Sequence, residues 1–352
     1  MMKAKYFETF RTAAVILIAL VLAFLIISIV SERPLETIWI FLWEPLATVG
    51  RIGNIIEMVI PLMFTGLSVA LLFRANLFNL GAEGLFYFSG VVAAAVAIHF
   101  SLNGLLHPLA AILAGSMTGA LLSAIPGILK AKWNANELVT SLMFNNILFG
   151  IGLYLLNYTL RDAKSTTSAS YKFETTALLD KILPGTRIHT GLIIVLALIV
   201  AAHLFLYKTK WGYELRMTGS NRSFASYSGI RTTKVIILVH LVAGFIAGMG
   251  GSVEVLGMYT RFNWVSLPGY GLDGALVAML AKNNPLSVIG AALFLAYIRN
   301  GADLMARLSD VPSEMISFVQ AIIILLLSAE QFLKFWKNRM LLKEAQKHAK
   351  LS

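Results

Sequence analysis

The sequence predicts an all-α, polytopic integral membrane protein of about ten transmembrane helices, with broken helices near the bilayer midplane. Three observations predict it. The chain is 58 % hydrophobic and only 13 % charged, with a mean hydropathy of +0.76, where a soluble domain carries about 25 % charged residues. Apolar runs of spanning length recur along it, separated by short polar stretches. Two Gly-x-acid-Gly sequences, Gly81-Ala-Glu83-Gly84 and Gly271-Leu-Asp273-Gly274, lie directly beside such runs. An unpaired charge at the bilayer centre costs roughly 2.5–3.5 kcal/mol even on the mildest scale. Glycine favours backbone that leaves the helix, and such backbone survives in lipid only when protein buries it or it lines a cavity. Paired Gly-interrupted segments in two halves of a membrane protein mark a transport site.

Lys3, Lys5 and Arg11 precede the first apolar run, Ala13–Val30. Its length, and the absence of a small-residue cleavage site in Ser31-Glu32-Arg33-Pro34, predict an uncleaved first helix. Residues 35–56 mix Trp39, Trp43 and Glu44 with apolar residues, a pattern for a short interfacial helix, since tryptophan prefers the headgroup level. Span two covers Glu57–Phe73, span three 85–100, and span four 106–129. Span four carries Gly115-Ser-Met-Thr-Gly119, a small-xxx-small face suited to close helix contact. Span five is 138–158, followed by the long polar segment Arg161–Thr190. Span six is 191–207, and the basic loop 208–234 leads into span seven at 235–256. Span seven carries Gly244-Phe-Ile-Ala-Gly248. Spans eight, nine and ten are 270–281, 285–300 and 313–329. Span eight is short for a ~30 Å core and fits half of a broken helix. The tail 334–352 is basic.

With both termini in the cytoplasm, the inner segments hold 19 of the 29 lysines and arginines, and five of the others fall in the one loop 161–190. Long loops translocate regardless of charge, so this bias sets the orientation. The same scatter removes the nucleic-acid reading that a net charge of +11 invites. There are no cysteines, hence no disulfides or thiolate metal sites. His203, His240 and the other histidines lack metal-ligand spacing, no nucleophile–base pattern points to catalysis, and no cofactor motif is present. The chain has no Gly-x4-Gly-Lys-Ser/Thr loop, so ATP, if used, is bound by another chain.

The stretch Arg74–Gly84 admits two readings, a polar break open to a pathway or a cytoplasmic hairpin. Asn76 and Asn79 offer amide donors and acceptors to a polar solute or to freed backbone groups. Glu83 and Asp273 are pathway carboxylates or caps at half-helix N-termini. Trp264 can stack on a planar ligand or pack. Within the basic loop, Gly219-Ser220-Asn221 reads as a capped turn, Arg222–Ser228 as one or two helical turns, and Gly229 as their terminator.

Four stretches resemble the permease subunits of bacterial ABC importers for nucleosides and simple sugars, in the superfamily of ribose-type and branched-chain amino-acid permeases. They are Phe73-Arg-Ala-Asn-Leu-Phe-Asn-Leu-Gly-Ala-Glu-Gly84, Asn136-Glu-Leu-Val-Thr-Ser-Leu-Met-Phe-Asn145, Gly212 to Glu254, and Gly269-Tyr-Gly-Leu-Asp-Gly-Ala-Leu-Val-Ala-Met-Leu-Ala-Lys-Asn-Asn-Pro285. The similarity spans about 58–305. Leu85 and Ala281 depart from the family pattern. The resemblance implies one transmembrane permease domain over 1–352 in the bacterial cell membrane. It implies a coupling helix within the loop 208–234, with Gly219, Asn221, Ala225, Ser228 and Gly229 as coupling residues. It also implies three partners: a cytoplasmic ATPase, a second permease chain (a heterodimer more often than a homodimer) and an extracytoplasmic substrate-binding lipoprotein. Simple sugars, branched-chain amino acids and ion-coupled secondary transport remain alternatives to nucleoside import.

The charge bias makes the orientation testable. A cysteine at Ser168 should react with an impermeant thiol reagent in intact cells, and one at Ser223 only after permeabilisation. External labelling at Ser223 would overturn the map.

Overall fold

A computed structural model of the chain describes residues 31–312, together with Val21, Phe24, Leu25, Ile27, Ser28 and Ala321. The expected spans one and ten and the basic tail therefore lie outside the described residues, apart from those few positions. In chain order the helices are α1 (Pro34–Trp43), α2 (Val49–Arg74), α3 (Ala82–His99), α4 (Leu106–Trp133) and α5 (Glu137–Leu155, continued by a π-turn to Leu160). After them come α6 (Gly191–Lys208), α7 (Lys210–Ser220), α8 (Arg222–Tyr227), α9 (Thr232–Met258), α10 (Tyr270–Leu280) and α11 (Pro285–Leu308). Among the described residues seven helices are long and apolar enough to cross a membrane: α2, α3, α4, α5 with its π-turn, α6, α9 and α11. They coincide with expected spans two to seven and nine. Span eight is α10, whose 11 residues rise only about 16 Å, half the hydrocarbon thickness. Helix α2 begins at Val49, eight residues before the expected Glu57, because the Thr48 side chain accepts from the Arg51 N–H at 3.3 Å and caps it.

Contacts divide the chain into two compact units, residues 48–297 and residues 1–47 with 298–352. In the second, the start of α1 is tied to Asp310, which accepts from Ser31 Oγ at 2.7 Å and from the Glu32 N–H at 2.6 Å. Trp39 and Trp43, one turn apart on α1, are exposed with ring centroids 5.7 Å apart.

The larger unit is built around α9, which packs on α2, α3 and α4. Its contact with α4 is a seam of small residues. A side chain at Gly119 would run into the Gly244 carbonyl, and one at Gly248 would lie 2.8 Å from the Gly115 carbonyl. The two small-xxx-small sequences thus face each other. Without a hydrophobic drive between helices in lipid, such close backbone approach is what holds them. Ser68 adds a buried bond, its hydroxyl donating to the Ala243 carbonyl at 2.7 Å.

The polar segment 161–190 folds over the end of the unit where α9 finishes. Its N–H groups at Ser170, Phe173 and Leu179 donate to the carbonyls of Phe262, Thr260 and Leu256, at 2.9, 2.9 and 3.1 Å. Arg261 and Asp162 pair at 3.5 Å. His189 is wholly buried against Gly191 and Gly257, where any side chain would collide with its ring. Its Nδ1 accepts from the Gly191 N–H at 3.2 Å, which requires the neutral ring. Burial pushes the His189 pKa down to about 4 from an ordinary 6.5.

A depressed histidine pKa gives stability that is complete above the unfolded-state value and lost as pH falls toward the folded one. The expected loss between about pH 6.5 and pH 4 is on the order of 3 kcal/mol. Thermal unfolding in detergent should show a lower Tm at pH 5 than at pH 7.5. A His189→Gln variant should lose this part of the pH dependence, and an unchanged difference between the two pH values in that variant would assign the effect elsewhere.

Candidate functional site

Helix α2 ends on Asn76, whose φ of +57° is left-handed. The Asn76 N–H donates to Phe73 O and the Leu77 N–H to Leu72 O, both at 3.0 Å, the pattern of a Schellman terminator. The chain is then non-helical until α3 begins at Ala82. Its polar groups are satisfied largely by one stripe of α5. Glu137 Oε1 accepts from the Phe78 N–H at 3.4 Å and Ser141 Oγ from the Leu80 N–H at 3.1 Å. Asn145 Oδ1 accepts from the Gly84 N–H, and Asn145 Nδ2 donates to the Leu80 carbonyl, both at 2.9 Å. These three residues sit at i, i+4 and i+8, one face of a helix. Lys130 holds Glu137 in place at 2.7 Å.

Asn79 is buried, and both ends of its amide are engaged. Its Oδ1 accepts from the Gly81 N–H at 2.7 Å, and its Nδ2 lies 3.1 Å from His240 Nε2. His240 Nδ1 lies 2.8 Å from the Ile236 carbonyl, which fixes the tautomer with Nδ1 protonated and Nε2 accepting. His240 is the ninth residue of α9, about 12 Å along it, while Phe86 meets Gly251 about 28 Å along it. The break therefore climbs well into the unit.

At the top of that climb the two Gly-x-acid-Gly sequences meet. The Glu83 carboxylate accepts from the Gly269 N–H on Oε1 at 2.6 Å, and from the Gly271 and Leu272 N–H groups on Oε2, the latter at 3.3 Å. It caps α10 from a helix distant in sequence, where the freed N–H groups and the helix dipole both favour an anion. Gly271 has no side chain because one would occupy the backbone of Glu83. Asp273 is buried in the first turn of the same helix. Trp264 is also buried. It stacks on Phe86 with centroids 5.7 Å apart and 16° between planes, meets Tyr259 edge-on at 5.8 Å, and accepts from Tyr87 Oη at its carbonyl, 3.3 Å away. The structure thus brings Glu83, Asp273 and Trp264 to the N-terminal end of α10 and its entry. Asn79 stands lower on His240, and Asn76 is exposed at the end of α2.

The basic loop folds as two capped helices. Thr209 Oγ1 accepts from the Gly212 N–H at 3.1 Å to start α7, and Asn221 Oδ1 accepts from the Phe224 N–H at 2.9 Å to start α8. Gly219 lies inside α7 rather than in a turn, packed against the Arg74 carbonyl and Ala75, where a side chain would not fit. Arg74 and Arg216 both lie over the Tyr207 ring, 5.9 and 5.1 Å from its centroid. Gly229, at φ +82°, ends α8 and lets the Ile230 N–H reach the Ala225 carbonyl at 3.0 Å. Ala225 is buried and faces inward, whereas Ser228 and Gly229 are exposed. The large exposed hydrophobic side chains of α8 are Phe224 and Tyr227, 56 % and 91 % accessible.

Residues 51–328 match the model of the family described as branched-chain amino acid transport system / permease component. The chain belongs to this permease family. The permease is 31 % identical over 322 residues to the guanosine ABC transporter permease protein NupP of Bacillus subtilis, covering 90 % of this chain and 92 % of that one. It is 30 % identical over 315 residues to the glucose ABC transporter permease protein TsgB13 of Haloferax volcanii, covering 86 % and 83 %. Identity to the nucleoside ABC transporter permease protein NupB of Lactococcus lactis is 29 % over 337 residues, covering 91 % and 92 %.

Sequence reasoning missed Ser141, Asn145 and His240 as parts of the permease's break. The four-residue spacing of Glu137, Ser141 and Asn145 was the available signal. It also missed that Glu83 caps a different helix from its own. That changes what Glu83→Gln should do. A cap worth about 0.3–1 kcal/mol of dipole interaction would survive the loss of charge. Here both carboxylate oxygens accept N–H groups, and a glutamine would set its NH2 against one of them. Bonds to a charged group are worth about 1.5–3 kcal/mol, so Glu83→Gln should lower the Tm in detergent measurably, and Glu83→Ala more. A Tm unchanged in Glu83→Gln would show that the cap does not bear on stability.

Proposed function

We propose that this permease is the transmembrane subunit of an ATP-driven ABC importer and that its substrate is a nucleoside. The observation that carries the first half is the α7–α8 pair: a short capped helix presenting Phe224 and Tyr227 outward, built on a helix whose Gly219 rests on the last carbonyls of α2. A cytoplasmic ATPase that grips α8 displaces α7, hence the end of α2, the break after it, and the Glu83 cap on α10. Asn79, Glu83 and Asp273 shape the break on this reading, with Trp264 bracing the entry to α10 and Asn76 ending α2. Gly219, Asn221, Ser228 and Gly229 give the coupling element its form, and Ala225 seats it. The second half rests on the relatives that carry guanosine and nucleosides. The relative that carries glucose keeps a simple sugar as the second reading. The remaining partners are a second, different permease chain and an extracytoplasmic binding lipoprotein. The location is the bacterial plasma membrane with both termini inside.

Reconstitution with the ATPase, second permease and lipoprotein from the same source tests this. Guanosine uptake should follow ATP hydrolysis and ignore ionophores. Uptake that collapses with a proton ionophore would point instead to ion coupling. Phe224→Asp and Tyr227→Asp should abolish solute-stimulated ATPase activity while leaving the Tm within about 2 °C, as exposed substitutions usually stay within about 0.5 kcal/mol. Full stimulation in both variants would remove α8 from the coupling interface.

A further inference from the structure

Helix α5 spends one face on the break, through Glu137, Ser141 and Asn145. Asn146, the next residue, lies about 100° further round the helix and is exposed. It lies nine residues from Glu137 and fourteen from Leu160, so about 14 and 21 Å from the two ends of the span. Asparagine is too short to reach a headgroup layer from there, as lysine and arginine can. Among the described residues, no other exposed Asn, Asp, Glu, Lys, Arg or His lies so far from both ends of a long apolar helix. Its Nδ2 donates to the Leu142 carbonyl at 3.1 Å, and among the described residues its Oδ1 and second N–H meet no other partner. Lipid tails offer neither donor nor acceptor, so lipid does not cover this position without cost.

The next three turns of α5 are as specific. Gly150, four residues on, has no atom within 4 Å of where a side chain would start. Tyr154 and Tyr158, at the next two four-residue steps, are 60 % and 78 % exposed with ring centroids 4.8 Å apart. The stripe therefore reads amide, gap, aromatic face, aromatic face. A water-filled route satisfies Asn146 and leaves the gap usable. We propose that this stripe of α5 lines the solute route and contacts the solute directly. Asn146 hydrogen-bonds the polar edge of a neutral, planar ring, Gly150 leaves room for it, and Tyr154 stacks on its face. This rests on the reading of the chain as an importer and deepens it, because an amide beside an aromatic face suits a nucleoside base better than a bare sugar.

The chain has no cysteine, so single-cysteine variants report without background. Asn146→Cys and Tyr154→Cys, in the assembled importer in proteoliposomes, are treated with a charged methanethiosulfonate reagent with and without guanosine or glucose. Leu121→Cys, exposed halfway along α4, supplies the lipid-facing rate. The proposal expects both stripe cysteines to react about tenfold or more faster than Leu121→Cys, because thiolate chemistry needs water, and guanosine but not glucose to slow them. Reaction no faster than Leu121→Cys overturns it, whether lipid or another chain covers the face. Fast reaction that guanosine leaves unchanged also overturns it. In uptake, Asn146→Leu should raise KM about tenfold, one hydrogen bond's worth, while Asn146→Ser largely restores it; equal KM values in all three proteins remove the contact. Labelling rates do not depend on transport, so an importer that labels as expected yet takes up no guanosine would sink the import reading and not the aqueous face.

Discussion

The permease depends on one interaction between segments far apart in sequence, the Glu83 carboxylate at the N-terminus of α10. A helix that starts inside the packed unit leaves several N–H groups without intrahelical partners, and each is costly to bury unpaired. Glu83 answers three of them at once. In return, those donors and the helix dipole stabilise a buried carboxylate that would be costly if unpaired. Each feature removes the other's penalty. The same contact fixes where the break can lie, because Glu83 reaches Gly271 only if α3 starts just before it. Asn145 is placed by the same constraint, since its amide holds the Gly84 N–H and the Leu80 carbonyl on either side of that start.

Around this contact the packing is set by small residues. Gly119 and Gly244 let α4 and α9 approach backbone to backbone, and Gly271 lets α10 lie on α3 in the same way. Such contacts leave little freedom for a helix to slide, since the positions are matched glycine to carbonyl.

Much of this was legible in the sequence, in proportion to how local the signal was. The apolar runs located seven long helices, and the short eighth run is a helix of 11 residues, too short to cross a ~30 Å core alone. The glycines and acids of the two motifs marked the breaks, because few other reasons place a carboxylate beside glycines in an apolar run. The asparagine and glycine flanking α8 gave its ends. The start of α2 was misplaced because Arg51 and Asn54 disguised a span that Thr48 caps. Ala225 could not be oriented, since a six-residue helix has too few turns for a periodic face. That Glu83 serves α10 rather than α3 joins positions 186 residues apart or more, and one sequence carries no information on such pairing. Trp264 looked available for stacking, but Phe86, Tyr87 and Tyr259 were out of view until the chain was folded.

The contact between Gly219 and the end of α2 has a mechanical consequence. Most helix contacts pass through side chains, which turn about their rotamers and absorb small displacements. Here α7 meets the Arg74 carbonyl and Ala75 with no side chain of its own between them. The joint therefore has almost no backlash. A shift of a few tenths of an ångström at the loop arrives at α2 at nearly full size, and a strain on α2 travels back to the loop equally undamped. Such a joint transmits in both directions, so a load on α7 and a load on α2 reach each other through the same few atoms.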